Sequence, residues 1–147
     1  MIYERWATWT AVAMILFGAW SDWRTREISG RFLLISASAG VCLALFGVRS
    51  WSEVALSCLP GIALLCLSRL TNGGIGEGDG WFFVVIGLLL DVGEIVGLLL
   101  SGFCLCVLTG LLLLMQAVWN GHGYRNLRIP FLPFLIPGGL YLALCLR

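Results

Sequence analysis

Two carboxylates, Asp22 and Asp79, stand at the ends of apolar segments and have the positions best suited to chemistry. Asp22 follows the first apolar run, and Asp79 directly precedes the fourth. Ionisable side chains at membrane depth are costly and point to a function. Two carboxylates that lie close together do not both ionise readily, so one keeps its proton. Such a pair can deprotonate a water molecule and protonate a carbonyl oxygen, which is the acid–base chemistry of peptide-bond hydrolysis.

The spacing of these residues by itself also allows purely structural roles. Asp22 would then pair with Arg24 or Arg26, a few positions further along the chain. Asp79 would only begin a helix, where a negative charge is favoured.

The composition of the chain is that of a membrane protein. Of its 147 residues, 60% are hydrophobic and 12% are charged, and the mean hydropathy is +0.97. Soluble domains are about 45–50% apolar and about 25% charged. A net charge of +1 also argues against a nucleic-acid-binding surface. We therefore expect one transmembrane domain over residues 1–147, with no separate soluble domain.

Six apolar segments predict an all-α, polytopic integral membrane protein with about six transmembrane helices. The fourth segment would rise only about 15 Å, roughly half the thickness of the hydrocarbon layer. We therefore expect this helix to begin inside the membrane, after a glycine-rich loop at residues 76–80 that lines a cavity. The predicted spans are residues 6–21, 32–48, 54–70, 81–90, 95–119 and 129–146.

The arginines predict which side of the membrane each loop occupies. Positive residues are enriched in cytoplasmic loops, and six of the nine basic residues lie in or beside the first, third and fifth polar breaks. Two crossings separate Asp22 from Asp79, so both are expected on the cytoplasmic side of a multi-pass protein of the cytoplasmic membrane. The six arginines on that side are Arg24, Arg26, Arg31, Arg69, Arg125 and Arg128.

Two short motifs contain the carboxylates. Residues 22–28, DWRTREI, follow the pattern D-x-R-x-R-x-I, and residues 76–79, GEGD, follow G-x-G-D. Together, at the ends of these spans, they resemble the type IV prepilin peptidases, within the wider G-x-G-D class of membrane aspartyl proteases. The resemblance extends to the six-span plan and to residues 129–134 before the last helix, so it covers essentially the whole chain.

The resemblance implies that Asp22 and Asp79 form a catalytic dyad that activates water without a metal, a cofactor or a covalent intermediate. Gly76 and Gly78 would let the loop bend and let the substrate backbone approach closely. The substrates would be type IV pilin-like or archaellin-like precursors, whose leader peptide is cut at the cytoplasmic membrane face. The lipid bilayer is the other expected partner, and the oligomeric state is left open.

Three departures from the family pattern leave both carboxylates in place. Residues 28–30 read Ile-Ser-Gly where the family often has Ile-Pro-Asn, and Trp81 stands where a lysine is common. Both changes bear on the preferred cleavage site. Long family members also carry a cytoplasmic segment with paired C-x-x-C motifs, associated with N-methylation of the cleaved pilin. No such motif occurs here, so we expect cleavage without N-methylation.

Arg24 and Arg26 fit electrostatic support of the dyad as well as anchoring at the membrane surface. His122 has no potential metal ligands near it in the sequence, so no metal site is expected.

Two other classes of function are compatible with the acidic pair. One is a small proton- or cation-coupled transporter or channel subunit that uses Asp22 and Asp79 as a relay. The other is a membrane assembly factor without catalytic activity, in which the pair is incidental. Asp→Asn substitutions distinguish the three, because a peptidase loses cleavage, a relay loses transport and a scaffold loses little.

Overall fold

The described part of the chain is all-α, as the sequence predicts. The computed structural model describes residues 2–25, 28–46, 49–71, 76–120 and 130–145. Within these ranges, one helix corresponds to each of the six apolar segments. The helices are α1 (Ile2–Thr25), α2 (Gly30–Phe46), α3 (Trp51–Leu70), α4 (Glu77–Gly87), α5 (Val92–Asn120) and α6 (Ile136–Cys145), and a 3₁₀ turn at Leu132–Leu135 leads directly into α6.

Two of the helices are long and apolar enough to cross a bilayer. They are Trp51–Leu70 and Val92–Trp119, with hydropathies of 1.6 and 2.5. The stretches Gly30–Phe46 and Leu132–Cys145 are apolar but shorter. The prediction of about six crossings is therefore supported for two helices by length and composition, and it stays a prediction for the others.

The outer surface of the helices is strongly apolar. Phe46, Val118 and Trp119 are each at least 80% exposed, and many leucines on α3 and α5 are about half exposed. Large apolar patches of this kind are rare on soluble monomers. They are the expected outer surface of helices that face lipid, where the backbone polar groups are satisfied within each helix.

The short helix α4 lies at the centre of the bundle. Phe82, Phe83 and Ile86 are fully buried, and they pack with residues of α1, α5 and the 3₁₀ turn. Eleven residues rise only about 16 Å, so α4 is as short as the sequence predicts. Its position is determined by these contacts rather than by its own length.

Glycines bring α4 into close contact with α3. A Cβ atom added at Gly80 would lie 2.7 Å from Leu65 Cγ, and one at Gly87 would lie 2.7 Å from the carbonyl oxygen of Ser57. On α3, a Cβ at Gly61 would meet the backbone of Phe83 at 2.8 Å. Small residues let helix backbones approach closely in a membrane, where packing drives association. The α3–α4 pair therefore forms a tightly packed unit that holds the first turn of α4.

Arg49 holds the other end of α4. Its guanidinium donates hydrogen bonds to the carbonyl oxygen of Leu90, at 3.0 Å, and to Ser57 Oγ, at 2.7 Å. Its Nε lies 3.0 Å from Asp91 Oδ1, as an ion pair rather than an aligned hydrogen bond. The hydrogen-bond partners lie 41 and 8 residues away, so nothing in the local sequence marks Arg49.

Replacing Arg49 by methionine is expected to lower the free energy of unfolding by roughly 2–4 kcal/mol. The change leaves the Leu90 carbonyl and the Ser57 hydroxyl without their donor in a buried setting, at about 1–3 kcal/mol for each group. Thermal unfolding in detergent micelles measures the change. Asp91→Asn is the matched control, because Asp91 is 69% exposed and an exposed pair contributes less than about 1 kcal/mol. Equal losses in the two variants would contradict the role given to the buried hydrogen bonds.

Candidate active site

Asp22 lies in the last turn of α1, and its side chain is buried, with 8% exposed. Its Oδ2 accepts a hydrogen bond from the backbone N–H of Leu132, at a distance of 3.1 Å. Leu132 begins the 3₁₀ turn that leads into α6, 110 residues further along the chain. The carboxylate therefore joins the end of the first helix to the start of the last one.

The start of the last helix has few free backbone donors. Pro130 and Pro133 have no N–H, and the N–H of Phe134 already donates to the carbonyl oxygen of Phe131, at 3.1 Å. The first N–H groups of a helix have no partner within it and favour a negative charge. The contact between Asp22 and Leu132 is thus a side-chain cap that the sequence analysis did not predict. In the local sequence, this contact is indicated only by the two prolines that flank Phe131 and Leu132.

Asp79 lies in the first turn of α4 and is partly buried. The prediction of a glycine-rich loop at residues 76–80 is wrong for residues 77–80, which are helical. Gly76 is the N-cap with an ordinary φ of −62°, and its carbonyl oxygen accepts a hydrogen bond from the Asp79 N–H. An acidic first turn favours a helix here because negative charge is stabilised at a helix N-terminus. Gly76 instead provides space, because a Cβ there would lie 3.2 Å from Asp79 Oδ2.

The two sequence motifs are in direct contact. A Cβ atom added at Gly78 would lie 3.3 Å from Cδ1 of Ile28, the last residue of the first motif. Gly78 is helical, so its role here is close packing rather than bending of the chain. The contact brings the segment after α1 against the first turn of α4, and with it Asp22 towards Asp79.

The two carboxyl groups interact electrostatically, and neither residue belongs to the predicted spans at residues 6–21 and 81–90. Burial raises the pKa of Asp79 to about 7, and the charge of Asp22 adds to this effect. Burial also raises the pKa of Asp22, but the backbone N–H groups of Leu132 and Phe131 act in the opposite direction. Near neutral pH the pair can thus hold one proton, with the other carboxyl ionised. This is the state in which one group accepts a proton while the other donates one.

The pH dependence of stability follows from the environment of Asp79. Its pKa rises from 3.8 to about 7 on folding, so the unfolded chain loses this proton first as the pH rises. The stability of the wild type relative to Asp79→Asn is therefore expected to fall between about pH 4 and pH 7 and to level off above. The slope is at most about 1.4 kcal/mol per pH unit. Melting temperatures from pH 4 to 8 measure this, with Glu77→Gln as the matched control. A difference that does not change with pH would contradict the expected shift.

The structure contains less information on the other predicted residues. Arg24 is exposed, and its guanidinium lies 5.6 Å from the centroid of the Trp20 ring, a cation–π contact. Its electrostatic support of the dyad stays a prediction, and Arg26 lies outside the described residues, as does His122. Within the part of the chain that the structure describes, no three His, Cys, Asp or Glu side chains are grouped so as to hold a metal ion.

Cys106, near the middle of α5, lies within electrostatic range of Asp79. Nothing in the local sequence connects Cys106 with the site, because it stands in a long apolar run. The thiol of Cys106 thus places α5 beside the site, in addition to α1 and α4, which carry the carboxylates.

Comparison with known proteins identifies the family. The model of the type IV leader peptidase family matches residues 9–111, a range that contains both Asp22 and Asp79. A prepilin leader peptidase/N-methyltransferase of Bacillus subtilis (strain 168) is 33% identical over 92 residues. The match covers 62% of this chain and 36% of that relative, so the chain spans well under half of its length. No solved structure gives a significant match. The chain therefore belongs to the type IV leader peptidase family, a family of aspartic peptidases.

Proposed function

We propose that this chain is a membrane aspartyl endopeptidase that removes the leader peptide from type IV prepilin-like precursors, of the pilin or archaellin kind. The observation that carries the proposal is the buried carboxylate of Asp22 in electrostatic contact with Asp79, each supplied by one of the family's motifs. In this proposal the ionised carboxyl removes a proton from water, and the protonated one donates to the scissile carbonyl oxygen.

The surroundings of the dyad suit a substrate that approaches from the membrane surface. Arg24, Arg31 and Arg69 are exposed in the last turn of α1, at the start of α2 and in the last turn of α3. Positive residues favour the cytoplasmic side, which supports an active site facing the cytoplasm. We propose that residues 1–147 form one transmembrane peptidase domain, with the bilayer and the precursor as its partners. The apolar outer surface of the helices supports this arrangement.

We propose cleavage without N-methylation. The two carboxylates account for hydrolysis, and no C-x-x-C motif occurs among the residues of the printed sequence. The intact mass of the precursor tests cleavage and N-methylation together, because it separates loss of a leader from the addition of a methyl group.

The test is co-expression of the chain with a full-length prepilin-like precursor, followed by intact mass of the precursor. Leader loss with the wild type, and an unchanged precursor with Asp22→Asn/Asp79→Asn at matched membrane levels, is the expected result. Leader loss with the double variant would end the aspartyl mechanism. If the wild type leaves every precursor tested intact but reconstituted vesicles show proton flux that needs both carboxylates, the transporter function replaces the peptidase.

A further inference from the structure

We propose that the backbone N–H of Leu132 holds Asp22 as the ionised member of the dyad, so that Asp22 is the general base and Asp79 the general acid. Leu132 is then a positioning residue that acts through its main chain. This inference rests on the proposed peptidase function, and it assigns different roles to the two carboxylates of that function.

The hydrogen bond lies in a buried setting. Leu132 is fully buried, and its N–H lies 3.1 Å from an Asp22 side chain that is itself only 8% exposed. A donor aimed at a carboxylate stabilises the charged form. The hydrogen bond is also costly to break, because leaving a buried N–H without an acceptor costs about 1–3 kcal/mol of folding stability. The fold thus supplies a fixed donor that opposes the effect of burial on the charge of Asp22.

The turn that presents this N–H is held in place from α1. A Cβ atom added at Gly18 would lie 2.8 Å from Leu132 Cδ2 and 2.8 Å from Phe82 Cε2. Gly18 stands four residues before Asp22, one turn earlier on the same helix. One turn of α1 therefore provides both the space for the Leu132 side chain and the acceptor for its N–H.

The environment of Asp79 differs from that of Asp22. Among the described residues, burial and the charge of Asp22 from α1 act on its carboxyl, and the neutral thiol of Cys106 from α5 lies within electrostatic range of it. Burial and the negative charge both favour the neutral acid, and they raise the pKa of Asp79 to about 7. Burial raises the pKa of both carboxyls, but backbone N–H donors lower the pKa of Asp22 again, whereas the charge of Asp22 raises the pKa of Asp79 further. This difference is the asymmetry that acid–base catalysis requires.

The assignment gives a balanced reaction. Asp22 accepts a proton from water while the water oxygen bonds to the scissile carbonyl carbon, and Asp79 donates its proton to the carbonyl oxygen. In the second step Asp22 gives its proton to the leaving nitrogen as the C–N bond breaks, and Asp79 removes a proton from one hydroxyl. The products are a carboxylic acid and an amine, and both carboxyls return to their starting states.

The direct test replaces the Leu132 amide by an ester. Nonsense suppression with the α-hydroxy analogue of leucine removes the N–H and keeps the side chain. The acid limb of the pH profile of kcat/KM is expected to move up by about one pH unit, because the base loses a donor. The matched control is the ester at Phe134, whose N–H bonds to Phe131 within the same turn. That control is expected to leave both limbs in place, although it also loses one hydrogen bond.

A shift of the alkaline limb instead of the acid limb would reverse the two roles. If neither limb moves, Leu132 has no part in setting the charge of the dyad. A shift of the same size in the Phe134 ester would show a general effect of the turn and would also overturn the proposal.

A second measurement does not depend on cleavage. Infrared titration of protein labelled with ¹³C at the aspartate carboxyl carbons follows each carboxylate, and Asp22→Asn and Asp79→Asn assign the bands. Asp22 is expected to ionise at lower pH than Asp79 in the unmodified protein, and the reverse order would overturn the proposal without any Leu132 variant. If the expected order is found but no precursor is cleaved, the peptidase function fails while the ionised state of Asp22 stands.

Discussion

Replacing either Asp22 or Asp79 by asparagine is expected to slow leader cleavage by about 10²–10⁴-fold, the range that a positioned acid or base contributes. Asparagine keeps the size of the side chain but neither accepts nor donates the proton that hydrolysis must transfer. The two groups act as a unit, so the double variant is expected to lose little more than either single variant. Initial cleavage rates at matched membrane levels measure the effect.

Asp91→Asn is the control for the loss of one acidic side chain. Asp91 is exposed and lies beyond the opposite end of α4, where it pairs with Arg49. Its variant is expected to cleave at close to the wild-type rate. If Asp22→Asn and Asp79→Asn also retain that rate, neither carboxylate takes part in the chemistry.

Replacing Gly61 by alanine is expected to lower the free energy of unfolding by about 1–3 kcal/mol and to slow cleavage up to about 100-fold. A methyl group at this position would meet the backbone of Phe83 and Val84 rather than a flexible side chain. Helix α4 must then move away from α3, and Asp79 in its first turn moves with it. A displacement of about 1 Å at a reacting group is enough for a loss of that size.

Gly97→Ala is the matched control for the change from glycine to alanine inside a helix. Gly97 lies in α5, and among the described residues no atom outside its own stretch of helix lies within 4 Å of a Cβ added there. Its variant is expected to be as stable as the wild type or more stable, by up to about 1 kcal/mol, because alanine is the better helix former. Thermal unfolding and the cleavage rate are measured on both variants. Equal behaviour of the two would contradict close α3–α4 packing as the support of Asp79.

Much of the fold could be predicted from local composition. The apolar segments predict six helices because each is long enough to form one, and polar breaks separate them. The start of α4 could not be located in this way. Residues 76–80 contain three glycines, which are poor helix formers in isolation. In the structure, burial of Gly80 against Leu65 and the acidic first turn outweigh that weak preference.

The candidate site, like the fold, could be predicted from the sequence only in part. Asp22 and Asp79 could be singled out by their positions at the ends of apolar segments, and their motifs are short enough to be visible in the chain. The hydrogen bond between Asp22 and Leu132 joins residues that are 110 positions apart, and the hydrogen bond from Arg49 to the carbonyl oxygen of Leu90 joins residues that are 41 positions apart. No local pattern encodes which distant backbone group meets a given side chain.

The sequence by itself determined the all-α class, the membrane character and the two acidic motifs, because these depend on residue types within short windows. The tertiary structure alone decided that α4 begins at Glu77, that Ile28 covers Gly78, and that the two carboxylates have different surroundings. The physical reason is that the charge state of a buried carboxyl depends on its distances to donors and charges on other helices. Those distances exist only after the helices have packed.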